Sequence, residues 1–310
     1  MAAKKAFAPL AAPSSQPHEF NILRMTVPAV FEKHWIPTMY QIFDDPDSFE
    51  SKEQYMARLK RGDDFFLMWD VTNNKPAGIE LIQVMPESGV MFIPATGVLP
   101  EYRNLGIGAA MTGKISAHMN KTRGGTHTVV EVEDPQRLHN VLSGDELAEG
   151  ITMAHRRINF WRRQNCIIVD DPTRQPGEKL AYVCPNVHDR TQVLDSYHMG
   201  IRFDDPALQA QVVQDGRVNK AFVRATYLDL NRIHQGHENT EAQLRDRFVA
   251  IDQYFTNIDA IKEDTLPIHT APLAPKNSPT ANFTLSMKRP AVPFMTAANS
   301  NRRANKPACA

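Results

Sequence analysis

The chain reads as an α+β protein: a mixed, mostly antiparallel sheet flanked by helices, with a helical C-terminal extension. Three observations predict this. The strand-like runs "DFFLMWDV" and "PAGIELIQVM" are joined by the short polar stretch "TNNK", which suits an antiparallel hairpin. A third such run leads through a glycine-rich turn into a segment with apolar residues at four-residue steps, the period of a helix. Beyond that helix come strand, helix and further strands, and then helices alone, an order that belongs to α+β architecture.

Taken in order, residues 1–17 read as a flexible leader. "FNILRMTV" (20–27) is a strand, and residues 28–61 carry helical spacing around a turn at "DDPDS". The hairpin follows, then the strand "GVMFIPATGVL" (89–99), the glycine turn, and a helix with Ile107, Met111, Ile115 and Met119 on one face. "THTVVEVED" (126–134) is the next strand. Ser143, with Glu146 three residues on, has the pattern of a capping box. Leu147, Ile151, Ala154, Ile158 and Trp161 continue that helix at 4-3-4-3 spacing. "CIIVD", "KLAYVCP" and "SYHMGIRF" read as three more strands, and residues 206–263 as two helices, the second starting near Asn239 and Thr240. From Leu266 onward no acidic residue occurs and Pro, Ala, Asn, Ser and Thr dominate, so residues 266–310 read as a disordered basic tail. The expected division is therefore a leader (1–17), a main domain (18–205), a helical extension (206–265) and the tail.

Composition narrows the function. The 35 basic and 35 acidic residues cancel, which argues against a nucleic-acid binder acting through overall charge. No run approaches the roughly 18 apolar residues of a membrane span. Cys166, Cys184 and Cys309 are odd in number and share no CxxC spacing. That suits a reducing, cytoplasmic compartment, with Cys166 and Cys184 as buried packing. His234 and His237 lack nearby ligands at metal spacing, so no metal is expected.

The motif with most chemistry is "RNLGIGAAMTGK" (103–114). As a nucleotide P-loop it has Gly108, Gly113 and Lys114, but Ile115 stands where a hydroxyl should hold magnesium. As a dinucleotide fingerprint it has Gly106, Gly108 and a distant Glu131 or Glu133. Met111, however, replaces the third glycine, and the upstream hairpin does not fit a parallel sheet. Val98, Pro100, Arg103, Gly106 and Gly108 together form V-x-P-x-x-R-x-x-G-x-G at a strand-to-helix junction. Glycines let successive N–H groups face one anion there, and the helix N-terminus adds its positive end.

This pattern resembles the acetyl-CoA loop of the GNAT superfamily of N-acetyltransferases, and the order of elements over residues 19–187 agrees with it. The resemblance implies acetyl-CoA as co-substrate, without metal. Val98, Leu99, Arg103, Asn104, Leu105, Gly106, Ile107, Gly108 and Ala109 would hold it, with Trp161 at the place where the family usually carries a tyrosine. It also implies that the strand of Ala95–Leu99 splays from that of Val129–Glu133 to admit the pantetheine arm. Backbone groups near Gly97–Leu99 would then polarise the thioester, with a bulge at Gly97.

The acceptor would be a small-molecule amine or a protein amino group, and homo-oligomerisation is left open. At an alkylamine pKa near 10.4, only about one molecule in 2,500 is neutral at pH 7, so a base helps. Glu131 and Glu133 alternate with Val130 and Val132 and share one strand face; either is a candidate base. His127 reads as a turn residue. Trp161 cannot deliver a proton to the departing thiolate, which leaves Tyr182, Tyr197 or water. The alternative is a non-catalytic acyl-CoA-binding or regulatory module with a GNAT-like fold.

Overall fold

The computed structural model describes residues 18–43, 50–140, 142–169, 182–185, 191, 193–194, 197–235, 239–268 and 283–288. The expected leader, the "DDPDS" turn, the first three residues of "KLAYVCP", His237 and Cys309 lie outside them. The chain divides into two compact units. Unit 1 comprises residues 1–81, 95–111 and 278–310, and unit 2 residues 82–94 and 112–277. This partition cuts through two strands and a helix rather than falling near residue 205.

Unit 1 begins with β1 (His18–Arg24). A helix follows in three parts: α1 (Pro28–Val30), a π-helical turn Phe31–Trp35, and α2 (Ile36–Ile42). α3 (Lys52–Arg61) is opened by a capping box between Ser51 and Gln54. The core holds stacked and edge-on rings of Phe31, Trp35, Tyr55 and Phe65. Trp35 Nε1 donates to the Phe66 carbonyl at 3.1 Å, so the indole is buried with its polar atom satisfied.

β2 (Asp64–Asp70), buried along its length, and β3 (Lys75–Met85) flank the expected turn. β4 (Val90–Val98) follows, and with β13 (Phe283–Lys288) at the edge the strand order in this half of the sheet is β13-β1-β2-β3-β4. The outermost strand, β13, pairs parallel with β1 from His18↔Phe283 to Leu23↔Lys288. That corrects the reading of everything after Leu266 as disordered. Alternation in "FTLSMK" and the open β1 edge are enough to seat a strand amid a polar, proline-rich stretch.

Unit 2 takes the far end of α4 (Ile107–Arg123), then β5 (His127–Glu133) and α5 (Gly144–Arg162). β6 (Cys166–Ile168), β7 (Cys184–Pro185), β8 (Val193–Leu194) and β9 (Tyr197–Phe203) follow. β9 pairs antiparallel with both β5 and β6. Ile107, Met111, Ile115 and Met119 of α4 are all buried, as their spacing predicts. Ser143 does sit at the N-cap of α5, but its side chain makes no capping bond, so the expected capping box is not formed.

The region 206–263 is more finely divided than two helices. It holds α6 (Pro206–Val212), a hairpin of β10 (Val213–Gln214) and β11 (Arg217–Asn219), α7 (Lys220–Gln235), α8 (Glu241–Arg247) and α9 (Val249–Ala260). Asp215 and Gly216, both at positive φ, make the turn that interrupts the helical spacing. β12 (Thr265–Pro267) pairs with β11, and Leu266 is 2% exposed. Val129, Ile167, Met199 and Ile201 of the sheet share one hydrophobic core with Val223, Tyr227, Tyr254, Phe255 and Leu266. The helices of the C-terminal extension thus contribute to the core of unit 2.

Candidate functional site

In unit 1 the loop is built on a buried anchor. Leu99 N–H donates to the Ala77 carbonyl at 2.9 Å, and the turn Pro100–Tyr102 swings the chain off β4. Tyr102 is buried and its hydroxyl donates to Asp70 Oδ2 at 2.7 Å. Burial alone would push the Asp70 carboxyl up, but bonds from Asn73, Tyr102 and His18 outweigh it and hold it below its usual range. Asn104 (φ 66°) and Gly106 (φ 78°) are left-handed, and α4 begins at Ile107.

The first intrahelical bond there is Ala110 N–H to the Gly106 carbonyl at 3.2 Å. Helix geometry therefore leaves Ile107, Gly108 and Ala109 N–H without intrahelical acceptors. Left-handed backbone at Asn104 and Gly106 directly ahead of a helix N-terminus is a geometry able to form an anion-binding concavity. Arg103 reaches the Val98 and Ile42 carbonyls at 3.5 and 3.4 Å, both weak bonds that an anion could displace. This donor set fits a pyrophosphate. Gly97 has a steric reason to be glycine: a Cβ there would stand 2.5 Å from Ile42 Cγ2.

In unit 2, parallel pairing of β5 to β4 covers only His127–Val129 with Val90–Phe92, while pairing to β9 runs from His127 to Glu133. Among the described pairings, β5 beyond Val129 is held along one edge. Glu131 and Glu133 share the face of His127 and Val129, as alternation requires. Their partners differ. Glu131 accepts a hydrogen bond from the Tyr182 hydroxyl, and Glu133 is ion-paired with Arg157 of α5, whose side chain is 46% exposed. The fold thus brings Glu131 to a buried phenol from 51 residues away and leaves Glu133 in a partly solvated pair.

Trp161 is buried in α5, its ring edge-on to Phe160 at 5.1 Å. His127 is not a turn residue. It is 3% exposed, bonded to Thr126 and Thr226, and burial pulls its pKa down to about 4. Cys166 is buried as expected, and burial first of all pushes its thiol up to about 12. Sequence reasoning missed Tyr102 with Asp70, Arg157, and the aromatic wall of Tyr227 and Tyr254. For the last, the helical spacing of Val223, Tyr227 and Leu230 was the available signal, and it marks a core face rather than a site.

Residues 29–141 match the family model described as "Acetyltransferase (GNAT) family". No curated protein matches the chain in sequence. Solved structures similar to it include a GNAT-family acetyltransferase from Bacteroides thetaiotaomicron, at 18% identity over 61% of this chain and 90% of that one, with a TM-score of 0.39. Another is a GNAT-family acetyltransferase from Staphylococcus aureus Mu50, at 12% identity over 59% and 98%, TM-score 0.37. A third is the ribosomal-protein-S18-alanine N-acetyltransferase from Escherichia coli, at 12% identity over 60% and 94%, TM-score 0.36. Likenesses of this size say nothing of what this chain acts on.

Proposed function

We propose that this protein is an acetyl-CoA-dependent N-acetyltransferase that moves the acetyl group directly to a primary amine, a reading supported by the match of residues 29–141 to the GNAT acetyltransferase family model. The observation that carries the reading is the loop Arg103–Ala109. Left-handed backbone at Asn104 and Gly106 and the unbonded first turn of α4 give an anion several N–H donors and the positive end of a 17-residue helix. Neither contribution needs magnesium, which accounts for Ile115 at the position where a P-loop keeps a hydroxyl. Bound there, acetyl-CoA supplies an acetyl carbonyl and a thiol leaving group.

The chain's own residues do the rest. Val98, Leu99, Leu105 and the loop N–H groups orient the coenzyme, and Arg103 adds charge to the phosphate contact. Glu131 removes the proton of the attacking amine as the C–N bond forms and the C–S bond breaks. The proton ends on Glu131, and the thiolate takes one from water. Glu131 is preferred to Glu133 because Arg157 already neutralises the latter. The acceptor class is a small-molecule or protein amine.

The test is thiol release from acetyl-CoA across a panel of amines, with Glu131→Gln alongside. Loss of a general base should lower turnover by roughly 10²–10⁴-fold while acetyl-CoA affinity stays. Full turnover in that variant would remove Glu131 from the mechanism. Acetyl-CoA binding with no acetylated amine at any pH would instead identify a binding module.

A further inference from the structure

Tyr182, which hydrogen-bonds Glu131, lies outside the family-matched segment 29–141. Tyr182 is 2% exposed, and its hydroxyl donates to Glu131 Oε1. Its ring meets Tyr227 of α7 edge-on at 5.7 Å and Tyr254 of α9 at 5.8 Å. Those two rings lie 3.9 Å apart, and both are fully buried. The Tyr227 hydroxyl donates to the Val183 carbonyl at 2.8 Å, which pins the backbone beside Tyr182. All of these residues belong to unit 2.

A phenol has one proton to donate. Here it is directed at the half-buried Glu131 carboxylate, with Tyr227 and Tyr254 packed against the Tyr182 ring. We propose that Tyr182 is the positioning residue for the Glu131 carboxylate and that α7 and α9 hold it in place, which makes the C-terminal extension a working part of the site. The proposal rests on the reading of Glu131 as base. A buried side chain packed against two helices fixes the carboxylate torsion more firmly than a surface partner does, and proton transfer depends on that geometry. The bond also favours the ionised form, the form able to accept a proton. It makes Glu131 a slightly weaker base in exchange for a fixed direction. A residue that only weakened basicity would speed the reaction on removal; a positioning residue slows it.

The experiment uses the full chain labelled with 13C-glutamate, in which the Glu131 signal is the one that Glu131→Gln removes. Among the described residues, titratable or charged groups on its strand and on neighbouring elements include His127 and Glu133, Arg157 of α5, Tyr197 of β9, and Tyr227 and Tyr254 against Tyr182. All are retained in Tyr182→Phe. That variant should raise the Glu131 titration midpoint by about one unit. Tyr227→Phe, which frees the Val183 carbonyl, should raise it less.

With acetyl-CoA and the best amine of the panel, Tyr182→Phe should lower kcat about tenfold and leave KM for acetyl-CoA unchanged. The loss should vanish in the Glu131→Gln background, because residues acting through one another are not additive. An unchanged midpoint overturns the proposal, and so do additive losses. If no amine is acetylated, the enzyme reading fails, yet the titration still decides whether Tyr182 holds Glu131. Full turnover in Glu131→Gln together with a shifted midpoint fails the base assignment and overturns any catalytic part for Tyr182.

Discussion

Replacing Gly106 by alanine puts the loop's geometry to a quantitative test. Gly106 sits at φ 78°, and its carbonyl accepts the first helical bond, from Ala110 N–H at 3.2 Å. An L-residue held in that left-handed region costs roughly 1–2 kcal/mol. The cost has two places to appear. If the helix and the Tyr102 anchor keep the loop in place, the apo protein loses that much stability. If the loop relaxes instead, the N–H groups of Ile107 to Ala109 no longer converge, and acetyl-CoA affinity falls by about 5–30-fold for the same energy.

Calorimetry with acetyl-CoA in EDTA and urea unfolding of the apo protein measure the two together. Their losses should sum to about 1–2 kcal/mol. Asn104→Gly is the control. Asn104 occupies the same region at φ 66°, and glycine relieves rather than imposes strain. Binding should survive in it. The reasoning is refuted if Gly106→Ala leaves both stability and affinity unchanged, or if wild-type binding requires magnesium.

Other expectations can be checked with the same preparations. Leu266→Ala should cost about 2–5 kcal/mol in urea unfolding, since a buried leucine leaves a cavity between β11 and α9 neighbours; an unchanged midpoint would mean β12 is not packed. His127 has a folded pKa near 4 against an ordinary value of 6.5, with burial as the cause. The unfolded chain binds its proton first, so the stabilisation is complete above pH 6.5 and is lost as pH falls from 6.5 towards 4. His127→Gln should flatten the stability profile in that window, and a profile of unaltered slope would contradict it. Asp70, held below the usual carboxylate range, contributes stability that is present above about pH 4 and lost below it. In Asp70→Asn the acid limb of the unfolding curve should be shallower.

Local chemistry is what the sequence alone determined. The four-residue steps of Ile107 to Met119 define a helix face whatever packs on it, and all four residues are buried. Alternation in "HTVVEVE" puts Glu131 and Glu133 on one strand face because the strand period is two. The spacing of Arg103, Gly106 and Gly108 marks a candidate anion loop because left-handed backbone and helix N-termini are local properties.

Tertiary structure decided the rest. Which glutamate meets a phenol and which an exposed guanidinium depends on Tyr182, Tyr227, Tyr254 and Arg157, brought together by long-range packing that no local spacing encodes. Gly97 was legible as a special position, but its reason, the Ile42 side chain pressed against it, comes from an element 55 residues earlier. Phe283–Lys288 lies in a stretch whose composition argues for disorder, and the open edge of β1 makes it a strand. Pairing energy along a sheet edge is supplied by the partner, so a short alternating run takes its structure from what it meets.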